Sequence, residues 1–389
     1  MKTGRQAIFL MTICFILSTA HAKAEEFLIG SDVPLSGKLA RVGNGMHEGI
    51  MVAAEMFNKS HPEHKIKIIT IDNESSPAKA LAAVEKLVSQ DVIAFTGGYG
   101  SNIISPASDA ANKAGLVYIT SGGVSESLTQ RGYKTFFRIN NTAGYAKAMI
   151  GLFTDIGIKS LSVVYSTKEA TEGLAHDVEK AMAATGVTVT MHAFDPSITD
   201  FKPVINKIRL QDKSEAIAMV GYENDYVNII RAAKVMKPST VKSVVGVWSL
   251  ATSKMANEFP DLMPNVCGTA LLPFPAEFST PDGKLFAETY NRLFQKEPDY
   301  LGQFGYVQSQ LLFEAILRAY EKGTLAKGGL ENELRSTQKE TLIGQVVFDE
   351  AGDNPNFKHR MGQHQDGKVV IVWPKESANG KLVFPGTPW

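Results

Sequence analysis

The sequence is poor in cysteine: its 389 residues hold two, Cys14 and Cys267. Cys14 sits in an apolar N-terminal stretch that is expected to be removed, which leaves one thiol and no intrachain disulfide. A chain this long has a large enough core to fold without one. An excess of one charge is also missing, since 40 Lys and Arg face 40 Asp and Glu. A nucleic-acid binder needs surplus cations to displace counterions from phosphates, and a polybasic membrane-surface protein needs them against anionic lipid. Both classes are excluded as expectations. Beyond the N-terminus no run approaches the ~18 consecutive apolar residues of a membrane span, so the mature chain is expected to be soluble, without membrane insertion. Catalytic and metal signatures are lacking too: no Gly-x-Ser-x-Gly elbow, His-Glu-x-x-His or Walker A run occurs. The eight histidines are scattered. His61 and His64 fall in a polar turn around Pro62, and His359 and His364 fall in a Gly/Asp-rich stretch read as a loop. No metal, cofactor or enzymatic activity is expected.

What is present begins with Lys2 and Arg5, followed by the apolar segment 7–20 and two small-x-small sites, Ala20-His21-Ala22 and Ala22-Lys23-Ala24. That is the layout of a signal peptide over 1–24, cleaved after Ala22 or Ala24. The remainder is long enough for two domains at roughly 100–200 residues each. Strand and helix patterns alternate. Strands are predicted at 27–30, 65–71, 92–96 and 116–120, with helices at 45–58, 77–90 and 105–115 between them. Ser76 and Pro77 mark one helix start, and Ser105 and Pro106 another. The pattern restarts with helices at 145–156, 173–185, 202–211 and 225–235 and strands at 160–165, 187–192, 216–220 and 244–247. Helices at 286–294 and 306–320 and strands at 346–348 and 369–373 follow. Repeated strand–helix–strand units imply mostly parallel sheets with helices on both faces.

In such sheets ligands bind beyond the carboxyl ends of the strands. Two post-strand loops there are rich in small residues. Gly97-Gly98-Tyr99-Gly100-Ser101-Asn102 precedes a helix, whose start offers free N–H groups and a partial positive charge to an anion. Ser121-Gly122-Gly123-Val124-Ser125 is expected beside it. Tyr222 and Glu223 after one strand of the second set, and Trp248 after another, are expected to face the same cleft. The run Gly43-Asn44-Gly45-Met46-His47-Glu48-Gly49 approaches a dinucleotide fingerprint, the main pointer to an enzyme. Its third glycine is one position late, and it lies too far from the preceding strand for the tight turn such a motif needs.

These loops, with Pro34-Leu35-Ser36-Gly37, Pro106-Ala107-Ser108-Asp109, Leu128-Thr129-x-Arg131-Gly132-Tyr133, Glu172-Gly173-Leu174-Ala175 and Phe348-Asp349-x-x-Gly352-Asp353, resemble the leucine/isoleucine/valine-binding family of periplasmic proteins. The resemblance spans about Glu26 to Phe384. It implies an α/β fold of two similar doubly wound parallel-sheet lobes joined by three crossovers, near 138–142, 270–274 and 342–345. One lobe would comprise 25–140 with 273–342, the other 141–272 with 343–389. It further implies a monomer in the periplasm that closes over a small molecule and delivers it to an ABC importer permease. A ligand-presenting subunit of a membrane sensor would share the fold.

By the same resemblance Ser101 and backbone groups near Gly122 hold a carboxylate, and Tyr222 contacts the ligand. The chain departs from the amino-acid-binding pattern elsewhere. Val124 replaces a hydroxyl residue, Trp248 replaces the acid that pairs with the α-ammonium, and Val42 and Ala170 replace cleft tyrosines. A buried ammonium without its carboxylate costs about 3–5 kcal/mol. The expected ligand is therefore an acid with an apolar or aromatic body, such as an aromatic acid or a branched oxo-acid. An amino acid stays open through Glu223 or Asp225 as a displaced amine site.

Overall fold

The computed structural model describes residues 25–389 apart from Ser249 and Ser279, and the backbone alone of Lys327. The expected signal peptide, with Cys14 and both cleavage points, lies outside the described residues.

Strand β1 (Glu25–Val33) buries Phe27, Ile29 and Val33. It pairs in parallel with β2 (His64–Asp72) on one side and β3 (Ala94–Thr96) on the other. With β4 (Val117–Thr120) and β5 (Phe136–Arg138) the sheet runs β2-β1-β3-β4-β5. Helices α1 (Ala40–Ser60), α2 (Pro77–Val88) and α3 (Ser101–Lys113) connect these strands. Ser76 caps α2 by accepting from the Lys79 N–H, with Pro77 at the first position.

After β5 the chain enters α4 (Thr142–Ile156) and a second sheet. Its strands are β6 (Ser160–Ser166), β7 (Thr188–Phe194), β8 (Ala216–Val220), β9 (Ser243–Gly246) and β10 (Cys267–Ala270), with α5 (Glu169–Ala184), α6 (Lys202–Lys207), α7 (Glu223–Met236) and α8 (Ser253–Glu258). The order β7-β6-β8-β9-β10 repeats the winding of the first sheet. In each sheet the order reverses beside the first strand, which is where ligands enter doubly wound sheets. Helices α9 (Pro281–Phe294), α10 (Tyr300–Glu321) and α11 (Gly329–Arg335) and the hairpin β11 (Gln338–Thr341) with β12 (Gly344–Val347) come next. Then β13 (Arg360–Gln365) and β14 (Lys368–Trp373) extend the second sheet in antiparallel fashion. Among the described residues no helix is long and apolar enough to cross a membrane.

Four sequence readings change. The glycines at 43, 45 and 49 lie inside α1. A Cβ on Gly49 would stand 2.0 Å from the Gly302 carbonyl oxygen, and one on Gly305 would stand 2.2 Å from that of Met46. Gly49 and Gly305 therefore let α1 and α10 touch backbone to backbone, while Gly45 makes room for the Asp299 carboxylate and Gly43 for the Pro34 carbonyl. Helix α3 begins at Ser101 rather than Ser105. Pro106 is accommodated because its missing N–H leaves only the Asn102 carbonyl without a helical donor. The expected crossover at 342–345 is the turn of the β11–β12 hairpin, and the chain rejoins the second sheet only at β13.

Finally, His359 and His364 are buried, at and within β13, not in an open loop. That strand was missed because Gln363 and His364 are polar, yet both are buried and each gives a side-chain nitrogen to a main-chain carbonyl. His359 Nδ1 lies 3.1 Å from the Ala270 carbonyl and His364 Nε2 lies 2.8 Å from that of Leu250.

The crossing from the first sheet to the second is knotted by a buried ion pair. Arg138, fully buried, donates from Nε and Nη2 to the two oxygens of Asp353 at 2.9 and 2.7 Å. Its Nη1 donates to the Ser125 carbonyl at 2.7 Å. Asn354 donates to the Ile139 carbonyl, and Asn141 donates to Asp353 and to the Asn354 carbonyl.

Asp353→Ala is expected to cost up to about 3–5 kcal/mol, read as a lower urea midpoint, because the buried Arg138 guanidinium would keep only the exposed Glu126 carboxylate, at 3.4 Å, as an ionic partner. A wild-type midpoint would show the straps are held by other means. Acid should also weaken the fold. Burial pushes His359 down to about 3 and His364 to about 4, below the ~6.5 of an unfolded histidine. Their contribution is present above pH 6.5 and lost as pH falls through the folded values. His364→Gln, which keeps a donor for Leu250, should flatten part of that decline in a pH series of unfolding free energies.

Candidate functional site

The loops after β3 and β4 lie side by side. Tyr99 pairs with Gly122 in a parallel bridge, and the Gly100 N–H donates to the Gly122 carbonyl at 2.9 Å. This approach demands glycine, because a Cβ at 122 would stand 2.1 Å from the Gly98 carbonyl oxygen. Gly100, at φ 92°, then turns the chain into α3. The N–H groups of Ser101 and Asn102 have no carbonyl within the helix, whereas Ile103 and Ile104 both donate to Gly100. Ser101 Oγ accepts from the Ser125 N–H at 3.0 Å, which leaves its own O–H to donate elsewhere. Ser121 Oγ is buried without a partner among the described residues. Free N–H groups, hydroxyls and a helix start form an uncharged cradle for an anion.

This cradle is one wall of a narrow cavity between the two sheets. Tyr99, Gly100, Ser101, Ser121, Gly122 and Val124 line it from the first sheet, with Asn140 beyond β5. Tyr145, Ala170, Tyr222 and Trp248 line it from the second, and Tyr300, Leu301 and Phe304 from the start of α10. None of these side chains is charged. Trp248 stacks on Tyr222, with ring centroids 5.7 Å apart and planes at 21°, and meets Tyr145 edge-on at 5.9 Å. Its backbone φ of 38° lies in the left-handed region, a conformation that costs a bulky residue about 1–3 kcal/mol. The indole N–H is buried without a partner among the described residues.

Beneath the rings runs a buried chain of hydrogen bonds. Asn140 Nδ2 lies 3.1 Å from the Tyr145 hydroxyl, which lies 2.7 Å from the Tyr300 hydroxyl. That hydroxyl lies 2.9 Å from His359 Nε2, and His359 Nδ1 reaches Ala270. Burial pushes the Tyr145 and Tyr300 hydroxyls above the ordinary tyrosine range, so both keep their protons.

The carboxylates named as alternatives lie elsewhere. A second recess, lined by Lys38, Leu39, Arg41, Val42, Glu223 and Asn224, shares only Tyr99, Tyr222 and Trp248 with the main cavity. There Glu223 pairs with Arg41 at 3.0 Å, and Arg41 pairs with Glu258 at 2.6 Å. Burial raises the Glu223 carboxyl, against the pull of Lys254 and Arg41. Asp225 accepts the Tyr222 N–H at 2.9 Å and so caps α7. Like the Arg41 pairs, the bond from Ser125 Oγ to Glu169 at 2.6 Å joins elements of one sheet to elements of the other.

Of the sequence candidates, Tyr99, Ser101, Gly122, Val124, Tyr222 and Trp248 meet at the cavity. Val42 and Glu223 line the adjoining recess. Asn102 is exposed on α3. Gly123 faces packing, since a Cβ there would stand 2.7 Å from Leu128 and 3.0 Å from Ile104. Sequence reasoning missed Asn140, Tyr300, Leu301 and Phe304 and read Tyr145 only as a helix residue. A signal for Tyr300 was present: Asp299 after Pro298 is a helix cap, and its side chain accepts from the Gly302 N–H at 2.7 Å. Among the described residues no cluster of three His, Cys, Asp or Glu is placed to hold a metal ion. Cys267 is buried, its thiol pushed up to about 12.

Comparison with known proteins agrees with this architecture. A family model described as periplasmic binding protein matches residues 27–368. A Leu/Ile/Val-binding protein homologue of Brucella suis is 25% identical over 390 residues, covering 94% of this chain and 95% of its own. A branched-chain amino acid transporter substrate-binding protein from Streptococcus pneumoniae, solved with isoleucine, superposes with a TM-score of 0.77 at 21% identity, over 90% of this chain and all of its own. A solute-binding protein of an ABC transporter from R. palustris, solved with benzoate, gives 0.79 at 16% identity, over 89% of this chain and 95% of its own.

Gly122→Ala is expected to force the two loops apart and cost about 1–3 kcal/mol, the usual range for overpacking. Thermal unfolding reads it, and an unchanged melting temperature would mean that the loops part without strain.

Proposed function

We propose a function from one established premise: the chain belongs to the periplasmic binding protein family. In this reading it is the substrate-binding component of an ABC importer. It is exported by its signal peptide, works in the periplasm and catalyses no reaction. Its two lobes, one built on each sheet, close over a small organic acid and present it to a permease.

The observation that carries the ligand class is the lack of any charged side chain around the main cavity. An amino acid would bury its ammonium there with no carboxylate partner, at a cost of about 3–5 kcal/mol. A lone carboxylate fares better, because the start of α3, the Ser101 hydroxyl and Ser121 offer donors without bringing a cation. Trp248, Tyr222, Tyr145 and Phe304 then surround an apolar or aromatic body. Solved proteins of the same fold hold isoleucine in one case and benzoate in another. The fold therefore accommodates both classes, and the ring-lined, acid-free cavity of this chain favours the second.

A thermal-shift and calorimetric panel of benzoate, a branched oxo-acid and leucine tests this reading. Ligand at 100 times its dissociation constant adds about 2.7 kcal/mol. The acids are expected to stabilise the protein and leucine to leave it unchanged. Micromolar leucine binding with the acids ignored would overturn the ligand class. Ser101→Ala removes a donor to the carboxylate and should weaken benzoate binding by about 1.5–3 kcal/mol, roughly tenfold or more. Trp248→Ala removes the stacked wall and should weaken it by a similar factor.

A further inference from the structure

Asn140 stands at the edge of the cavity with 1% of its surface exposed, and its Oδ1 has no partner among the described residues. Which end of that amide faces inward follows from the chain of hydrogen bonds behind it. The Ala270 carbonyl only accepts, so His359 Nδ1 carries the proton of that bond. A neutral imidazole then has an acceptor at Nε2, and Tyr300 must donate to it. With that proton committed, the Tyr300 oxygen must accept from Tyr145. Tyr145 has then used its own proton, so its oxygen must accept from Asn140. Every direction is forced, and Asn140 must give its NH2 to the chain. Its carbonyl oxygen is left as a buried acceptor at the cavity wall, and leaving such an acceptor unmet is costly.

From this relay, and resting on the reading of the ligand as an aromatic acid, we infer that Asn140 selects ligands carrying a hydroxyl group on the ring, whose O–H donates to Asn140 Oδ1. The spacing fits. Asn140 follows β5, Gly122 follows β4 and Ser101 follows β3, three neighbouring strands. At about 4.8 Å per strand the acceptor stands roughly 5–10 Å from the carboxylate cradle, an interval that contains the carboxylate-to-hydroxyl span of a hydroxybenzoic acid. Trp248 and Tyr145, in edge contact, wall the space a flat ring would occupy.

The test is isothermal calorimetry on the full mature chain with benzoate, 3-hydroxybenzoate and 4-hydroxybenzoate. At least one hydroxylated acid is expected to bind about tenfold or more tighter than benzoate. In Asn140→Val that preference should collapse to within about twofold, chiefly through weaker binding of the hydroxylated acid. Should Asn140→Val fail to fold, Tyr145→Phe provides the second arm. It deletes the oxygen that fixes the amide, so the NH2 is free to turn inward and the hydroxyl preference should shrink. Benzoate binding with no gain from either hydroxyl overturns this inference and leaves the aromatic-acid reading standing. So does a gain that survives Asn140→Val. If none of the three acids binds while leucine does, the underlying reading falls, and this inference with it.

Discussion

The buried pair of Arg138 and Asp353 is the constraint on which the cleft depends. Its geometry is bidentate, and the guanidinium's remaining nitrogen is taken up by the Ser125 carbonyl. One end of the pair closes β5, and the other sits on the last stretch before the chain returns to the second sheet. Asn140 and Asn141 lie two and three residues beyond the arginine, so the pair fixes the path on which the cavity floor is built. Ser125, whose carbonyl the arginine holds, in turn donates its N–H to Ser101. A single desolvated charge pair thus sets both the strap between the lobes and the loop that orients the anion cradle. Buried charges left unpaired are far costlier than the same charges paired, so alternative packings of the straps are penalised.

The cavity follows a different logic from the strap: it excludes charge altogether. In the proposed reading an anion would be met by N–H dipoles and hydroxyls fixed in advance by α3 and the Gly122 contact, with little reorganisation on binding. The acids and bases of the region are instead spent outside it. Arg41 reaches from α1 to Glu223 on α7 and Glu258 on α8, and Glu169 meets Ser125. The two Arg41 pairs are partly exposed, and pairs of that kind are worth at most about 1 kcal/mol. In the proposed reading they suit a contact that forms and breaks as the lobes close and open.

Much of this was legible in the sequence, and the failures share one physical cause. Strands with apolar runs, such as 216–220, and helices with a clear cap, such as the one after Ser76, were found close to their observed limits. The Ser101 and Gly122 loops were legible because small residues after a strand have few other uses. Asn140, Tyr300 and Phe304 were not, because they reach the cavity from a crossover and from the start of a helix far along the chain. Nothing local marks a polar residue whose partner is 59 or 155 positions away, as Tyr300 is from His359 and Tyr145. Gly45 and Gly49 of α1 misled for the same reason: their need is set by Asp299 and Gly302 at the start of α10, some 250 residues on.

The stacking of Trp248 on Tyr222 has a practical consequence for watching the protein work. The chain holds three tryptophans. Trp373, at the end of β14, lies over Gly151 of α4, and Trp389 packs, partly buried, against a core cluster of the second sheet. Only Trp248 lines the cavity. If the cavity takes the proposed ligand, its indole emission is a built-in optical reporter of occupancy, and stopped-flow fluorescence would follow capture and release in real time without attaching a dye.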